Sequence, residues 1–130
     1  MSTLFTKIIN REIPAEIVFE NDAFIAFLDI NPQMPGHTLV CPKKEVDSIF
    51  DLDDKTYHAL WDMVKYLEKP LLKAMNAKRI VLEVVGFEIP HVHVHMIPMN
   101  ILGEGRSKKV TSEELQEFGE KIRSVLKGSF

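Results

Sequence analysis

Apolar and polar positions follow two different periods along the chain, and the change of period separates predicted strands from predicted helices. "EIVFE" and "AFIAFLDI" are rich in β-branched and aromatic residues and flank Asn21-Asp22, so they predict a hairpin of two strands. "HTLVCP" predicts a third strand, and "RIVLEVV" and "HVHVHMI" predict a fourth and a fifth. The connections are mostly too short for crossovers, which favours an antiparallel sheet.

Helical spacing of apolar residues marks two long segments and one short segment near the N-terminus. Asp51 and Asp53 offer N-caps to a long helix, in which Pro70 is expected to kink or interrupt the backbone. Thr111 and Glu114 have capping-box spacing at the start of a last helix, from about residue 111 onward. "LFTKIINREIP" predicts a short helical turn. Helices packed against one side of an antiparallel sheet give the α+β class.

Length, composition and charge bound the kind of protein. The 130 residues fit a single domain over 1–130, and a net charge of −3 without massed lysine or arginine argues against nucleic acid as a partner. Cys41 is the only cysteine, which excludes an intrachain disulfide and favours a reducing compartment. No apolar run approaches the roughly 18 residues that span a bilayer, and no signal-peptide pattern is present. We therefore expect a cytoplasmic protein without a membrane partner.

Candidate chemistry is concentrated in "PHVHVHMIP". Of the five histidines in the chain, His91, His93 and His95 alternate there with apolar residues. Successive side chains of a strand point to opposite faces, so a strand in this stretch places three imidazoles in one row. The apolar residues between them would face the core, whereas the imidazole row needs another role.

Three interpretations of this row remain open on spacing alone. Purely structural histidines would each need a buried hydrogen-bond partner, because an unpaired polar group costs about 1–3 kcal/mol. A metal site is possible for two histidines, but a straight row spans about 13 Å, so His37 or a carboxylate would have to complete the ligand shell. Nucleophilic catalysis at phosphorus is the third, since neutral imidazole attacks phosphorus well and leaves readily.

"HVHVHMI" also resembles the His-φ-His-φ-His-φ-φ motif (φ apolar) of the histidine triad (HIT) family of nucleotide hydrolases and transferases. The segment from "KIINREIPAEIVFE" to "FDLD" is similar to the N-terminal half of that family, and the resemblance covers roughly residues 3–99. The chain looks most like the bacterial Hint-like branch. The resemblance implies an α+β fold with a five-stranded antiparallel sheet, and a homodimer.

The same resemblance implies an activity without a cofactor. Its substrate would be a purine nucleotide such as an AMP conjugate, and the reaction the hydrolysis of nucleoside 5′-phosphoramidates or related adenylates through a covalent nucleotidyl-histidine. Cleavage of dinucleoside polyphosphates and a slowly reacting nucleotide-binding module remain the alternatives.

Site residues follow from the matched motifs. His93 would be the nucleophile, His95 would contact the α-phosphate, and His91 would orient the row, with His37 beside it. A hydrogen bond from the other ring nitrogen of His93 to a backbone carbonyl would fix the reactive tautomer. The resemblance assigns the ribose contact to the acidic Asp29 and the base contacts to the apolar Phe24, Ile25 and Phe27. Gly86 is a further candidate for a nucleotide contact, on its own residue type rather than on the resemblance.

Two departures from the family pattern stand out. Many bacterial members carry Cys-x-x-Cys near the N-terminus and bind structural zinc, whereas this chain has Thr3 and Thr6 there and Glu45 at a position that is often histidine. We therefore expect the zinc site to be lost. The segment before the triad is also shorter, although Gly86 could let the backbone approach a ligand. The basic residues of 106–109 could reach the rim of the active site.

Overall fold

The computed structural model describes residues 3–101 and 110–128 of the chain. The basic residues at 106–109 lie outside these ranges. The α-helices of these ranges are α1 (Leu4–Ile9), α2 (Asp54–Met75) and α3 (Ser112–Gly128). Their strands are β1 (Ile17–Glu20), β2 (Phe24–Leu28), β3 (Thr38–Pro42), β4 (Arg79–Glu83) and β5 (Val94–Met99). Within the described ranges, no helix has the length and apolar character needed to cross a membrane.

The strands form one sheet in the order β1-β2-β3-β5-β4, and every neighbouring pair is antiparallel. The side chain of Asn21 shapes the β1–β2 turn, because its Oδ1 accepts hydrogen bonds from the amides of Ala23 and Phe24 at 2.9 and 2.8 Å. The α+β prediction with a five-stranded antiparallel sheet is confirmed.

The two faces of the sheet carry different apolar clusters. The larger cluster joins one face of the strands to α2 and α3, and includes Leu60, Val94 and Ile122. The smaller cluster lies on the other face under α1 and comprises Phe5, Ile8, Ile25, Phe27, Leu39 and Cys41. Alternation along β2 divides its residues between the faces.

Helix α2 begins at its predicted cap and continues through its proline. The Thr56 amide donates to Asp53 Oδ1 at 3.1 Å, so Asp53 is the N-cap, whereas Asp51 belongs to a preceding 3-10 turn. The expected interruption at Pro70 is wrong, because one helix runs from Asp54 to Met75. Pro70 is itself buried, next to Leu71 of the larger cluster, and burial of its ring opposes the roughly 3 kcal/mol that an interior proline costs.

Helix α3 is capped and anchored by side chains. The Thr111 amide donates to Glu114 Oε1 and the Glu114 amide donates to Thr111 Oγ1, both at 3.1 Å, which confirms the capping box. Arg123 Nη1 donates to Glu16 Oε2 at 2.6 Å, which ties α3 to the residue before β1. A Cβ at Gly119 would lie 2.6 Å from that Glu16 oxygen, so a larger residue there would displace the Glu16 side chain.

The fifth strand begins later than predicted. Strand β5 starts at Val94, so His95 is the one triad histidine within it, and His91 and His93 belong to the segment before it. Pairing with β3 ends at Val40↔Val94. The Val92 amide donates instead to the carbonyl of Val46 at 2.8 Å, and the Pro42 carbonyl accepts from the His91 ring. Pro42 has no amide hydrogen with which to extend the ladder.

Candidate active site

Three of the four predicted site histidines meet at the end of the sheet. His37 immediately precedes β3, and β3 is the neighbour of β5 in the sheet. The His37 ring therefore lies 5.2 Å from the ring of His95, centroid to centroid. The His93 and His95 rings are 5.0 Å apart. His91 is fully buried, and its ring nitrogens contact the Pro42 carbonyl and Thr3. The straight row of three imidazoles on one strand is therefore wrong; the cluster consists of His37, His93 and His95.

The protonation pattern of His93 follows from one hydrogen bond. Its Nδ1 lies 2.7 Å from the backbone carbonyl oxygen of His91. A carbonyl oxygen can only accept, so Nδ1 carries the hydrogen and donates. In the neutral ring, Nε2 then presents a lone pair. This is the hydrogen bond to a backbone carbonyl that the sequence analysis predicted.

The opposite pattern is imposed on His95 through His37. The Gln33 amide donates to His37 Nδ1 at 3.0 Å, so the hydrogen of neutral His37 is on Nε2. His37 Nε2 lies 2.9 Å from His95 Nδ1 and donates to it. His95 therefore carries its own hydrogen on Nε2. A backbone amide in the loop before β3 thus determines the tautomers of two histidines in succession.

Burial keeps the three rings uncharged. Desolvation lowers the pKa of His37 to about 4, although Asp29 acts in the opposite direction. Desolvation likewise lowers the pKa values of His93 and His95. Neutral imidazoles are the forms to which the tautomer assignment applies, so at neutral pH the cluster offers one lone pair, on His93, and one donor, on His95.

Asp29 lies at the edge of the histidine cluster. It follows β2 directly, and its Oδ2 is 3.7 Å from His37 Nε2. Its Oδ1 accepts from the Asn31 amide at 2.9 Å, which fixes the side chain in the turn. Asp29 is partly exposed, unlike His37, and so remains accessible to a ligand.

The three predicted base-contacting residues do not share one face. Phe24 belongs to the cluster on the side of α2 and α3, so its grouping with Ile25 and Phe27 is wrong. The latter two lie on the histidine side but are only 0% and 2% exposed. Sequence reasoning missed Phe5, whose ring packs edge-on against those of His93 and Phe27, with centroid distances of 4.8 and 5.4 Å. The apolar helical spacing of Phe5 and Ile8 was the available signal.

Two glycines bear on the loops around the cluster. Gly86, a predicted nucleotide contact, has φ +144 in the segment between β4 and β5, with open space where a Cβ would lie. Gly36 has φ +85, and a Cβ there would lie 2.5 Å from Met75 Cγ. This second glycine lets the chain turn against α2 immediately before His37. It was not among the predicted site residues.

Metal-ligating groups meet at one place in the described residues. Ligand atoms of Asp29, His37 and His95 all lie within 4.8 Å of one another. A metal ion here would use the same ring lone pairs that the His37–His95 hydrogen bond occupies. At the positions where the family resemblance implies zinc ligands, the chain instead has the hydroxyls of Thr3 and Thr6 and the carboxylate of Glu45. Zinc prefers thiolate and imidazole, so this donor set does not fit it.

Comparison with known proteins agrees with this geometry. The family model described as HIT domain matches residues 10–101. A HIT-like protein of Methanocaldococcus jannaschii is 39% identical over 126 residues, which cover 94% of this chain and 97% of that protein. The purine nucleoside phosphoramidase of Escherichia coli K12 is 34% identical over 107 residues, covering 78% and 90%.

Solved structures point to the same family. A crystal structure of a Hit-like protein from Bartonella henselae has a TM-score of 0.87 at 36% identity, covering 95% of this chain and 96% of that one. A histidine triad nucleotide-binding protein from Sulfolobus tokodaii has a TM-score of 0.83 at 30% identity, covering 95% and 91%. The chain, with its paired histidines at the end of a five-stranded sheet, belongs to the HIT domain family.

Proposed function

We propose that the protein hydrolyses nucleoside 5′-phosphoramidates or related adenylates through a covalent nucleotidyl intermediate on His93. The observation that carries the proposal is the complementary protonation of two adjacent rings. His93 presents a lone pair on Nε2, whereas His95, 5.0 Å away between ring centroids, carries a hydrogen on Nε2. A nucleophile beside a hydrogen-bond donor is what a phosphoryl group requires. The name of the 34% identical relative supports the substrate class.

The reaction has two displacements at phosphorus. In the first, His93 Nε2 forms a bond to the α-phosphorus as the bond to the leaving amine breaks, and the amine takes a proton from solvent water as it departs. In the second, water attacks the same phosphorus and returns a proton to solvent, the bond to Nε2 breaks, and nucleoside monophosphate is released with the imidazole restored. Splitting one displacement into two lowers each barrier, because imidazole is both a good nucleophile and a good leaving group.

The neighbouring groups have separate roles. Negative charge on the phosphoryl oxygens is stabilised by the Nε2–H of His95, which the hydrogen bond from His37 holds in that tautomer. The carbonyl of His91 orients His93. Partly exposed Asp29 accepts hydrogen bonds from the ribose hydroxyls. Because Ile25 and Phe27 are covered by α1, a base would contact exposed apolar groups near Asp29 first, such as Ile30, which is 63% exposed. Gly86 is a candidate contact for the phosphates.

A substrate panel tests the proposal. Purified protein is assayed on an adenosine phosphoramidate and on a diadenosine polyphosphate, with His93→Ala beside the wild type. We expect His93-dependent release of AMP from the phosphoramidate as the faster reaction. Faster cleavage of the polyphosphate would favour the second enzyme class. Tight AMP binding with no turnover of either compound would identify a binding module.

We also propose that two chains associate through the β4 edge. Strand β4 ends the sheet, and the exposed fraction is between 41% and 54% for Leu82, within the strand, and for Val84 and Val85, directly after it. A groove beside this edge is lined by residues of α2, β4 and β5: Trp61, Val64, Lys65, Glu68, Ile80, Leu82 and Met96. Pairing of two β4 strands across a two-fold axis would cover both the open edge and the apolar groove.

A further inference from the structure

A second hydrogen-bonded cluster lies behind the histidines and joins parts of the chain that are far apart in sequence. Thr3 Oγ1 is 3.1 Å and Thr6 Oγ1 is 3.4 Å from His91 Nδ1. Thr6 Oγ1 donates to Glu45 Oε1 at 2.6 Å, and the Thr3 amide donates to the same oxygen at 2.9 Å. We call these four residues, Thr3, Thr6, Glu45 and His91, the threonine clamp.

The direction of each hydrogen bond in the clamp can be assigned. The Pro42 carbonyl, 2.8 Å from His91 Nε2, can only accept, so Nε2 carries the hydrogen. In the neutral ring, Nδ1 is then an acceptor. The Thr6 hydroxyl hydrogen points to Glu45, whose pKa is lowered first by this hydrogen bond and then by the Thr3 amide. The Thr3 hydroxyl, whose oxygen also lies 3.2 Å from Thr6 Oγ1, is therefore the donor left for His91 Nδ1.

Burial makes this donor important. His91 is 0% exposed, so water cannot replace a missing partner at Nδ1. A buried polar atom left without a hydrogen bond costs about 1–3 kcal/mol. Among the described residues, no buried side-chain nitrogen or oxygen lacks a partner. The Thr3 hydroxyl and the Pro42 carbonyl thus hold the His91 ring from both sides and fix its orientation.

The clamp reaches the proposed nucleophile through the backbone and through α1. The carbonyl of His91 is the group that accepts from His93 Nδ1 at 2.7 Å. Phe5, between the two threonines, packs edge-on against both His91 and His93, with ring centroids at 6.0 and 4.8 Å. A shift of His91 or of α1 would therefore turn the His93 ring, and the lone pair of its Nε2 with it.

We propose that Thr3, Thr6 and Glu45 are positioning residues for His93, and that their hydrogen bonds hold the N-terminal helix across the active site without a metal ion. The proposal rests on the function assigned above to His93. The side chains of the threonine clamp satisfy one another through hydrogen bonds. They therefore need no metal ion to hold them together. Displacements of about 1 Å in a catalytic group can lower rates on the order of a hundredfold.

The test compares Thr3→Val, which removes the donor to His91, with Thr3→Ser, which retains it. Thr3 also caps α1, since its Oγ1 accepts from the Thr6 amide at 3.1 Å. Thr111→Val is the matched control, because it removes the equivalent cap of α3 away from the site. Glu45→Ala and Glu45→Gln form a second pair that leaves the α1 cap intact. The readouts are kcat and KM for a nucleoside phosphoramidate, the melting temperature, and ¹⁵N resonances of the His91 and His93 rings.

We expect Thr3→Val and Glu45→Ala to lower kcat roughly tenfold to a hundredfold with KM nearly unchanged, and to shift the ring resonances. Thr3→Ser and Glu45→Gln should restore most of kcat. Thr111→Val should lower the melting temperature without changing kcat. Wild-type kcat and ring resonances in Thr3→Val and Glu45→Ala would overturn the proposal. If the wild type cleaves no phosphoramidate, the proposed function fails. The ring resonances of the variants still test the positioning role in that case, because shifted resonances support it and unchanged resonances contradict it.

Discussion

His37 Nε2 lies 2.9 Å from His95 Nδ1, and this contact determines that neutral His95 carries its hydrogen on Nε2, the nitrogen that we propose contacts the phosphate. Without it, the His95 ring could adopt either tautomer. We predict that His37→Leu lowers kcat roughly tenfold to a hundredfold, since it removes the donor to His95 Nδ1 and leaves the tautomer of His95 unfixed. His95→Ala should lower kcat further, by about 10² to 10³, because it removes a donor to the charged oxygens.

Steady-state kinetics on an adenosine phosphoramidate checks this order. His58→Ala is the matched control, since His58 is an exposed histidine on α2. Equal rates for wild type and His37→Leu would contradict the tautomer assignment.

The lowered pKa of His37 predicts that stability depends on pH. Its pKa falls from an ordinary 6.5 to about 4 on folding, so between these values the unfolded chain binds a proton that the folded chain does not. The free energy of unfolding should therefore decrease as the pH falls from about 6.5 toward 4, and be insensitive to His37 above that window. Urea unfolding at several pH values measures this. A His37→Gln variant should have a shallower slope; an identical slope would show that His37 does not titrate in this way.

Zinc content tests the inference that the threonine clamp is held by hydrogen bonds and not by a zinc ion. After dialysis, we expect elemental analysis to find no stoichiometric zinc in the wild type, because hydroxyl and carboxylate oxygens replace the preferred ligands. The triple variant Thr3→Cys, Thr6→Cys, Glu45→His supplies two thiolates and an imidazole near His91, and should bind one zinc ion per chain. One tightly held zinc in the wild type would contradict the prediction and reopen the metal interpretation of the histidines.

Association through β4 is tested by light scattering. The wild type should have twice the mass of a single chain at micromolar concentration. Leu82→Glu places a charge on the exposed β4 edge, where Leu82 is 46% exposed, and should give the monomer. Phe50→Glu is the control, because Phe50 is an exposed apolar residue in the 3-10 turn before α2. A monomeric wild type, or a dimer unaffected by Leu82→Glu, would count against this interface.

Local patterns in the sequence predicted the elements well. The Asp53 cap, the Thr111–Glu114 capping box and the hairpin at Asn21 depend on residues within a few positions of one another, and all are present. Apolar periodicity likewise predicted the strands, and the short connections between them predicted the antiparallel sheet.

Features that depend on contacts between residues far apart in the sequence were harder to predict. Alternation in "HVHVHMI" cannot reveal that the ladder stops at Val94, since this depends on Pro42, about 50 residues earlier in the chain. Alternation along β2 predicts that Phe24 and Ile25 point to opposite faces of the sheet, but it does not show which face lies beside the histidines. The hydrogen bond between Thr3 and Glu45 joins residues that are far apart in the sequence, so the residues around either position give no signal of it.

The most direct test of the account is to locate the nucleotide on the enzyme during turnover. Protein is mixed with an adenosine phosphoramidate, quenched in alkali within one turnover to protect the phosphorus–nitrogen bond, and digested for mass spectrometry. We predict an adenylyl group on His93, its absence in His93→Ala, and a loss of kcat in that variant of roughly four orders of magnitude or more. An adenylyl group on another residue, or near wild-type turnover by His93→Ala, would contradict the assignment of His93 as the nucleophile.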